Sequence, residues 1–319
     1  MGMLVEGEWR VEGLRADDEG RFVRSTTTFR DRVTADGSSG FPAEEGRYHL
    51  YVSWACPWAH RTAILRKLKG LEGEISLSSV EPFMGEDGWE FSGDSGEFPD
   101  PLHGAGLLRE IYTMADPGYT GRVTTPVLWD RELGTIVNNE SREIMHMLDT
   151  EFEDLATTGA SFYPEDLRGE IEDTLDELYE PVNNGVYRTG FARKQAAYDE
   201  AVTELFDALD HFEGVLSRQR YLCGERVTEA DWAFFTTLVR FDPVYHGHFK
   251  CNLRRIVDYP NLWGYVRDLY QYPGVAETVD FGHIKEHYYR SHESVNPTRI
   301  VPKGPIIDFS TPHGRERLS

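Results

Sequence analysis

The hydrophobic period of this chain changes once, and that change limits the folds open to it. Between residues 46 and 155 short apolar runs of strand length alternate with turns and helical stretches, whereas from Arg168 onward apolar residues recur at helical spacing. Ile171, Leu175, Leu178 and Tyr179 form one expected helix face, and Val202, Leu205, Phe206, Leu209 and Phe212 form another. Thr228-Glu229-Ala230-Asp231 offers a helix start. The apolar run 232–239 behind it continues through Arg240, which is too long for an ordinary strand and reads as a buried helix. With 319 residues the chain can bury two cores without a metal or disulfide staple. The expected architecture is therefore a small α/β domain followed by a helical domain.

Within the first part, Tyr48-His49-Leu50-Tyr51-Val52 has strand propensity and residues 59–68 have helical composition, joined by the tight segment 53–58. Further strands are expected at 75–80 and 126–130; Gly134 marks a turn, and Ile136-Val137 leads toward a helix starting near Asn138 or Asn139. Residues 81–121 are rich in Gly, Asp and Pro and too long for a simple connection, so they read as a candidate active-site cover. Residues 1–45 are polar and weakly periodic, an extended N-terminal cover. The tail carries His283, His287, Tyr288, Tyr289 and His292 ahead of several prolines, and is expected to fold back over another surface rather than form one continuous core helix. The expected division is a 1–45 extension, a 46–160 α/β domain carrying the long 81–121 loop, a 161–281 helical domain and a 282–319 C-terminal extension packed back on the fold.

A formal charge of -22, with only six lysines among 33 basic residues, opposes binding to nucleic acid backbones. A dispersed acidic, lysine-poor surface suits high salt, where the screening length falls to about 3 Å at 1 M, so a halophilic source is expected. No apolar stretch is long enough for a membrane span, and the N-terminus lacks a basic region followed by an apolar core, so no membrane partner is expected and the reading is cytoplasmic. Three cysteines, at 56, 223 and 251, are too few and too scattered for a disulfide scaffold or a metal cage; no metal is expected.

Cys56-Pro57 falls at the junction of the first strand and its helix. Proline suits the first helical turn, where its missing donor costs nothing, and the unpaired donors at a helix start favour an anionic sulfur. The thiolate is the reactive form of cysteine, so Cys56 is a candidate nucleophile, with a buried structural cysteine as the alternative. Cys223 and Cys251 have no comparable context and read as structural.

The segment Tyr51-Val52-Ser53-Trp54-Ala55-Cys56-Pro57-Trp58-Ala59-His60-Arg61-Thr62 closely resembles the glutathionyl-hydroquinone reductases, or Xi-class glutathione transferases, which are similar to the Omega class. The resemblance continues in Arg122-Val123-Thr124-Thr125-Pro126-Val127-Leu128-Trp129-Asp130, Asn139-Glu140-Ser141 and Asn183-Asn184-Gly185-Val186-Tyr187. It ends in Arg240-Phe241-Asp242-Pro243-Val244-Tyr245, Tyr259-Pro260-Asn261-Leu262, Gly282-His283-Ile284-Lys285 and His287-Tyr288-Tyr289. The resemblance implies a thioredoxin-like N-terminal domain, an all-helical transferase C-terminal domain and a homodimer. It also implies one-cysteine chemistry with glutathione, in keeping with the absence of a second cysteine in a Cys-x-x-Cys motif.

The same resemblance places Trp89, Arg122, Thr125, Glu140 and Ser141 around the thiol co-substrate. Arg122 suits carboxylates, a cis Thr125-Pro126 bond exposes backbone to the cysteinyl unit, and Glu140 with Ser141 suits the γ-glutamyl ammonium and carboxylate. Each also has a structural alternative: Trp89 as a loop anchor, Arg122 in an ion pair, Thr125-Pro126 as a rigid turn, Glu140 and Ser141 as helix caps. Tyr187, Tyr245 and Tyr288 are the implied quinol-binding residues, with Tyr289 next, while His60 and Arg61 read as structural. The implied reaction is attack of Cys56 on a glutathionyl-hydroquinone sulfur, followed by release of the mixed disulfide by a second thiol, glutathione or γ-glutamylcysteine. Broader disulfide, dehydroascorbate or aryl-ether chemistry and a non-catalytic binding role are the alternatives.

Overall fold

The computed structural model describes residues 2–93 and 96–318. They form two compact units, Met1–Gly13 with Arg24–Ala160 and Leu14–Val23 with Ser161–Ser319. The first 45 residues therefore contribute to both units instead of forming one cover.

The first unit begins with a hairpin where an irregular cover is expected. Strands β1 (Gly2–Val5) and β2 (Glu8–Val11) pair antiparallel across a two-residue turn, Glu6-Gly7, in which both residues have positive φ. Gly7 is also required sterically, since a Cβ there would lie 2.0 Å from the Pro117 carbonyl oxygen. Strand β3 (Tyr48–Val52) is buried throughout and leads into helix α1 (Pro57–Leu68). Strand β4 (Ile75–Ser79) returns parallel to β3, as a strand-helix-strand unit requires.

The 81–121 segment is not wholly a loop. It contains helix α2 (Leu108–Ala115), whose Leu108, Ile111 and Tyr112 recur at i, i+3 and i+4 and are buried in a cluster with Leu4, Tyr51 and Trp89. Strand β5 (Val127–Asp130) pairs antiparallel with β3, and β6 (Thr135–Asn138) pairs antiparallel with β5, giving the order β4-β3-β5-β6. Helix α3 (Ser141–Thr150) starts later than the sequence suggests, because Asn138 still belongs to the β6 ladder. The arrangement is the expected thioredoxin-like one.

The second unit is helical. Helix α4 (Arg168–Leu178) buries Ile171, Leu175 and Leu178, but Tyr179 leaves that face: a π-helical turn, Tyr179–Asn183, starts there and leaves its ring exposed. Pro181 within that turn has no N–H to donate, which favours the wider turn. Helices α5 (Gly185–Gly190) and α6 (Gln195–Leu216) follow, and α6 buries Val202, Leu205, Phe206, Leu209 and Phe212 as expected. Helix α7 (Glu229–Arg240) is buried along its whole length. Its start is fixed by Asp231, which accepts from the Thr228 N–H (2.8 Å), the Thr228 hydroxyl (3.1 Å) and the Leu222 N–H (2.9 Å).

A second π-helical turn, Phe241–Tyr245, contains Pro243 and is followed by the single turn α8 (His246–His248) and by α9 (Pro260–Tyr270). The expectation for the tail needs correction in its first stretch only: α10 (Phe281–Ser291) is a continuous helix that buries His283, Ile284, His287 and Tyr288, whereas residues 292–315 are irregular. Its histidines are compatible with a core because burial pushes His283 down to about 4, leaving the imidazole neutral. Beyond α10 the Arg315 guanidinium donates to the carbonyls of Leu216, Gln219 and Arg220, supplying partners to the end of α6.

Candidate active site

The sheet register brings three parts of the sequence to one edge of the first unit. Tyr51 of β3 lies opposite Val127 of β5, and Leu128 lies opposite Asn138 of β6. The end of β3, the start of β5 and the end of β6 therefore share that edge, and with them the segments carrying Cys56, Thr125 and Glu140-Ser141.

Cys56 caps α1. Its N–H donates to the Ser53 carbonyl (3.0 Å), Pro57 fills the first helical turn, and the Cys56 carbonyl accepts the His60 N–H (3.0 Å). The half-buried sulfur lies 3.5 Å from the Thr125 carbonyl oxygen, to which the thiol donates. No acidic residue occupies the first turn of α1. The guanidiniums of Arg24 and Arg61 lie 4.9 and 4.7 Å from the Trp58 ring, two residues beyond the sulfur. His60 and Arg61 are buried. The other two cysteines are buried as well; desolvation pushes the Cys223 thiol up to about 11 and the Cys251 thiol higher still, so neither is a nucleophile near neutral pH.

Thr125-Pro126 is cis. Thr125 is buried and its Oγ1 has no hydrogen-bond partner among the described residues, and the same holds for Ser141 Oγ in the first position of α3. Both hydroxyls are therefore buried on the segments expected to bind a thiol. Glu140 caps α3: its carboxylate accepts from the Arg142 N–H (3.4 Å) and from the Thr27 hydroxyl (3.1 Å). Thr27 carries no signal in the sequence, because only the tertiary fold brings it to Glu140.

Two other candidates have structural partners. Trp89 is buried in the hydrophobic cluster, where it anchors the 81–121 segment. Arg122 donates to the carbonyls of Gly2 (3.0 Å), Glu12 (3.2 Å) and Gly13 (2.6 Å), which ties it to the hairpin ends.

In the second unit the three candidate tyrosines meet. Tyr187 comes from α5, Tyr245 from the π-helical turn and Tyr288 from α10. The Tyr288 hydroxyl lies 2.6 Å from that of Tyr187 and 3.0 Å from that of Tyr245. Gly190 allows this packing, since a Cβ there would lie 2.2 Å from the Phe249 ring, which itself stacks on Tyr245 and contacts Tyr187 edge-on. Burial pushes Tyr245 and Tyr288 well above 10, so both remain neutral hydrogen-bonding groups. Tyr245 and Tyr288 are fully buried and Tyr187 is only half-buried, so Tyr187 is the more accessible end of the hydroxyl chain. Tyr289 instead donates to the Pro243 carbonyl (3.4 Å). Among the described residues no group of three or more His, Cys, Asp or Glu is arranged to hold a metal, and no helix is long and apolar enough to cross a membrane.

Comparison with known proteins gives the family of the chain. Residues 55–151 match the glutathione S-transferase N-terminal domain and residues 195–268 the C-terminal domain. The chain is 51% identical to the glutathionyl-hydroquinone reductase YqjG of Escherichia coli, over 99% of both chains. The glutathione-bound structure of YqjG superposes with a TM-score of 0.91 at 50% identity, covering 98% of this chain and 99% of that one. A Xi-class transferase from Natrialba magadii superposes with a TM-score of 0.94 at 55% identity, covering 100% and 98%.

Proposed function

Because the chain belongs to the glutathionyl-hydroquinone reductases, the Xi class of the glutathione transferases, we propose that it reduces glutathionyl-hydroquinones to hydroquinones with glutathione as the reductant. The observation that carries the mechanism is a half-buried cysteine sulfur at the start of a helix. Negative charge is stabilised at a helix N-terminus, and the thiolate is the attacking species.

Cys56 attacks the conjugate sulfur. An S–S bond forms between Cys56 and glutathione while the aryl C–S bond breaks, and the aryl group keeps the electron pair and takes up a proton. A second glutathione thiolate then attacks the mixed disulfide, releasing glutathione disulfide and restoring Cys56. The net change is conjugate plus glutathione giving hydroquinone plus glutathione disulfide.

The orphan hydroxyl of Ser141 donates to the γ-glutamyl carboxylate, Glu140 pairs with its ammonium, and the Thr125 backbone pairs with the cysteinyl unit. Arg122 and Trp89 border the same thiol. Tyr187, Tyr245 and Tyr288 bind the quinol oxygens, and Tyr187, at the less buried end of their hydroxyl chain, supplies the proton. The γ-glutamyl contacts accept γ-glutamylcysteine as well as glutathione, and the acidic surface suits salt-rich cytoplasm and a homodimer kept soluble there. Turnover of the two thiols at high and low salt separates these readings.

Steady-state turnover of a glutathionyl-hydroquinone, compared with dehydroascorbate, a glutathione mixed disulfide and a β-aryl ether, tests the substrate class. The conjugate is expected to give the highest kcat/KM, and preference for any of the others refutes the assignment.

A further inference from the structure

A single buried oxygen links the two thiol-binding segments of the first unit. Tyr112 lies on α2, its ring fully buried in the cluster with Leu4, Trp89 and Ile111 and edge-on to Phe29 at 5.9 Å. Its hydroxyl donates to the Thr124 carbonyl (2.8 Å) and accepts from the Thr124 N–H (3.2 Å) and from Asn139 Nδ2 (3.1 Å). Its one proton and two acceptor sites are shared among these three bonds and the Thr124 hydroxyl, 3.3 Å away. Thr124 precedes Thr125, whose carbonyl faces the Cys56 sulfur, and Asn139 precedes Glu140 and Ser141. Asn139 is held on its other side by Phe29, through the Phe29 N–H to Asn139 Oδ1 (3.2 Å) and the Asn139 N–H to the Phe29 carbonyl (3.1 Å).

We propose that Tyr112 is a positioning residue for thiol recognition, fixing the spacing between the Thr125 backbone and the Glu140-Ser141 helix start through one hydroxyl. The inference rests on the assignment of Thr125, Glu140 and Ser141 to the thiol. The 81–121 segment thereby acts on thiol affinity from the buried side, because its helix α2 carries the tie that runs under the site. A thiol that spans both segments needs them at a fixed separation, and a displacement of about 1 Å is enough to lose much of the benefit of preorganised contacts. Burial pushes Tyr112 up to about 12, which keeps the hydroxyl protonated, as its bond to the Thr124 carbonyl requires.

Tyr112→Phe keeps the ring and removes the tie. Its dissociation constant for glutathione and its KM for glutathione are expected to rise about tenfold, with kcat within about twofold of wild type. Tyr51→Phe is the control: it removes a hydroxyl from the same cluster, but one that donates to Asp100 (3.0 Å), and is expected to leave both constants within about twofold. If Tyr112→Phe yields no folded protein, Asn139→Asp, which replaces the amide donor facing Tyr112 by an acceptor, must weaken glutathione binding in the same way. Unchanged glutathione affinity in the folded variant, or an equal loss in Tyr51→Phe, overturns the proposal. Wild-type protein that binds glutathione but turns over no conjugate refutes the functional reading, while the ratio of dissociation constants still decides the role of Tyr112.

Discussion

Replacing Ser141 by alanine is expected to have two effects of opposite sign. Ser141 is 3% exposed, and its Oγ has no hydrogen-bond partner among the described residues. An unpaired buried hydroxyl costs about 1–3 kcal/mol, and alanine is the better helix former by up to ~0.5 kcal/mol. The free protein should gain about 1 kcal/mol or more, raising Tm by roughly 2 °C in a chain of this size. With glutathione the balance reverses. A hydrogen bond to a carboxylate contributes about 1.5–3 kcal/mol, so the dissociation constant should rise about tenfold or more at about 1.4 kcal/mol per decade. Scanning calorimetry without ligand, paired with titration calorimetry of glutathione, reads both effects. A lower Tm with unchanged affinity would show that Ser141 serves the helix alone.

Two further outcomes follow from the second unit. Tyr288→Phe removes the hydroxyl that bridges Tyr187 and Tyr245, leaving the fully buried Tyr245 hydroxyl without that bond. Unfolding free energy should fall by about 1–3 kcal/mol and kcat by at least tenfold, with KM for glutathione unchanged; wild-type kcat in this variant contradicts the hydroxyl chain. Burial pushes His248 and His283 down to about 4, below the ordinary 6.5, so the unfolded chain takes up their protons first. Their contribution to stability is complete above pH 6.5 and is lost as the pH falls toward 4, at up to about 1.4 kcal/mol per pH unit for each histidine. Urea denaturation at pH 7, 6 and 5 checks this, and a midpoint independent of pH refutes it.

What is legible in the sequence is local. Strand β3, the helix after Cys56 and the capped start of α7 each announce themselves through propensity, a proline in the first turn or a cap within four residues. The hairpin β1–β2 escapes such reading because each strand has only four residues and no alternation long enough to register. Helix α2 is hidden because its three buried residues sit in a segment dominated by glycine, proline and aspartate. In α10 histidine and tyrosine look like surface, yet a neutral imidazole packs as readily as an aromatic ring.

At the site the residue types are readable and their partners are not. Cys56 stands out through Pro57, but its proximity to the Thr125 carbonyl depends on strand pairing across 69 positions of sequence. The Thr27 bond to Glu140, the ties from Arg122 to the hairpin ends and the Tyr112 tie are all long-range. Residue spacing alone carries no signal for such pairings.

The central claim is that the sulfur of Cys56 becomes covalently bonded to glutathione during turnover. Intact-protein mass spectrometry after mixing the enzyme with one equivalent of a glutathionyl-hydroquinone, without free thiol, tests it most directly. The account predicts one glutathione on Cys56 and one equivalent of hydroquinone released, with the adduct discharged as glutathione disulfide once glutathione is added. Hydroquinone released at the wild-type rate by Cys56→Ser, with no adduct on the wild-type protein, would contradict it.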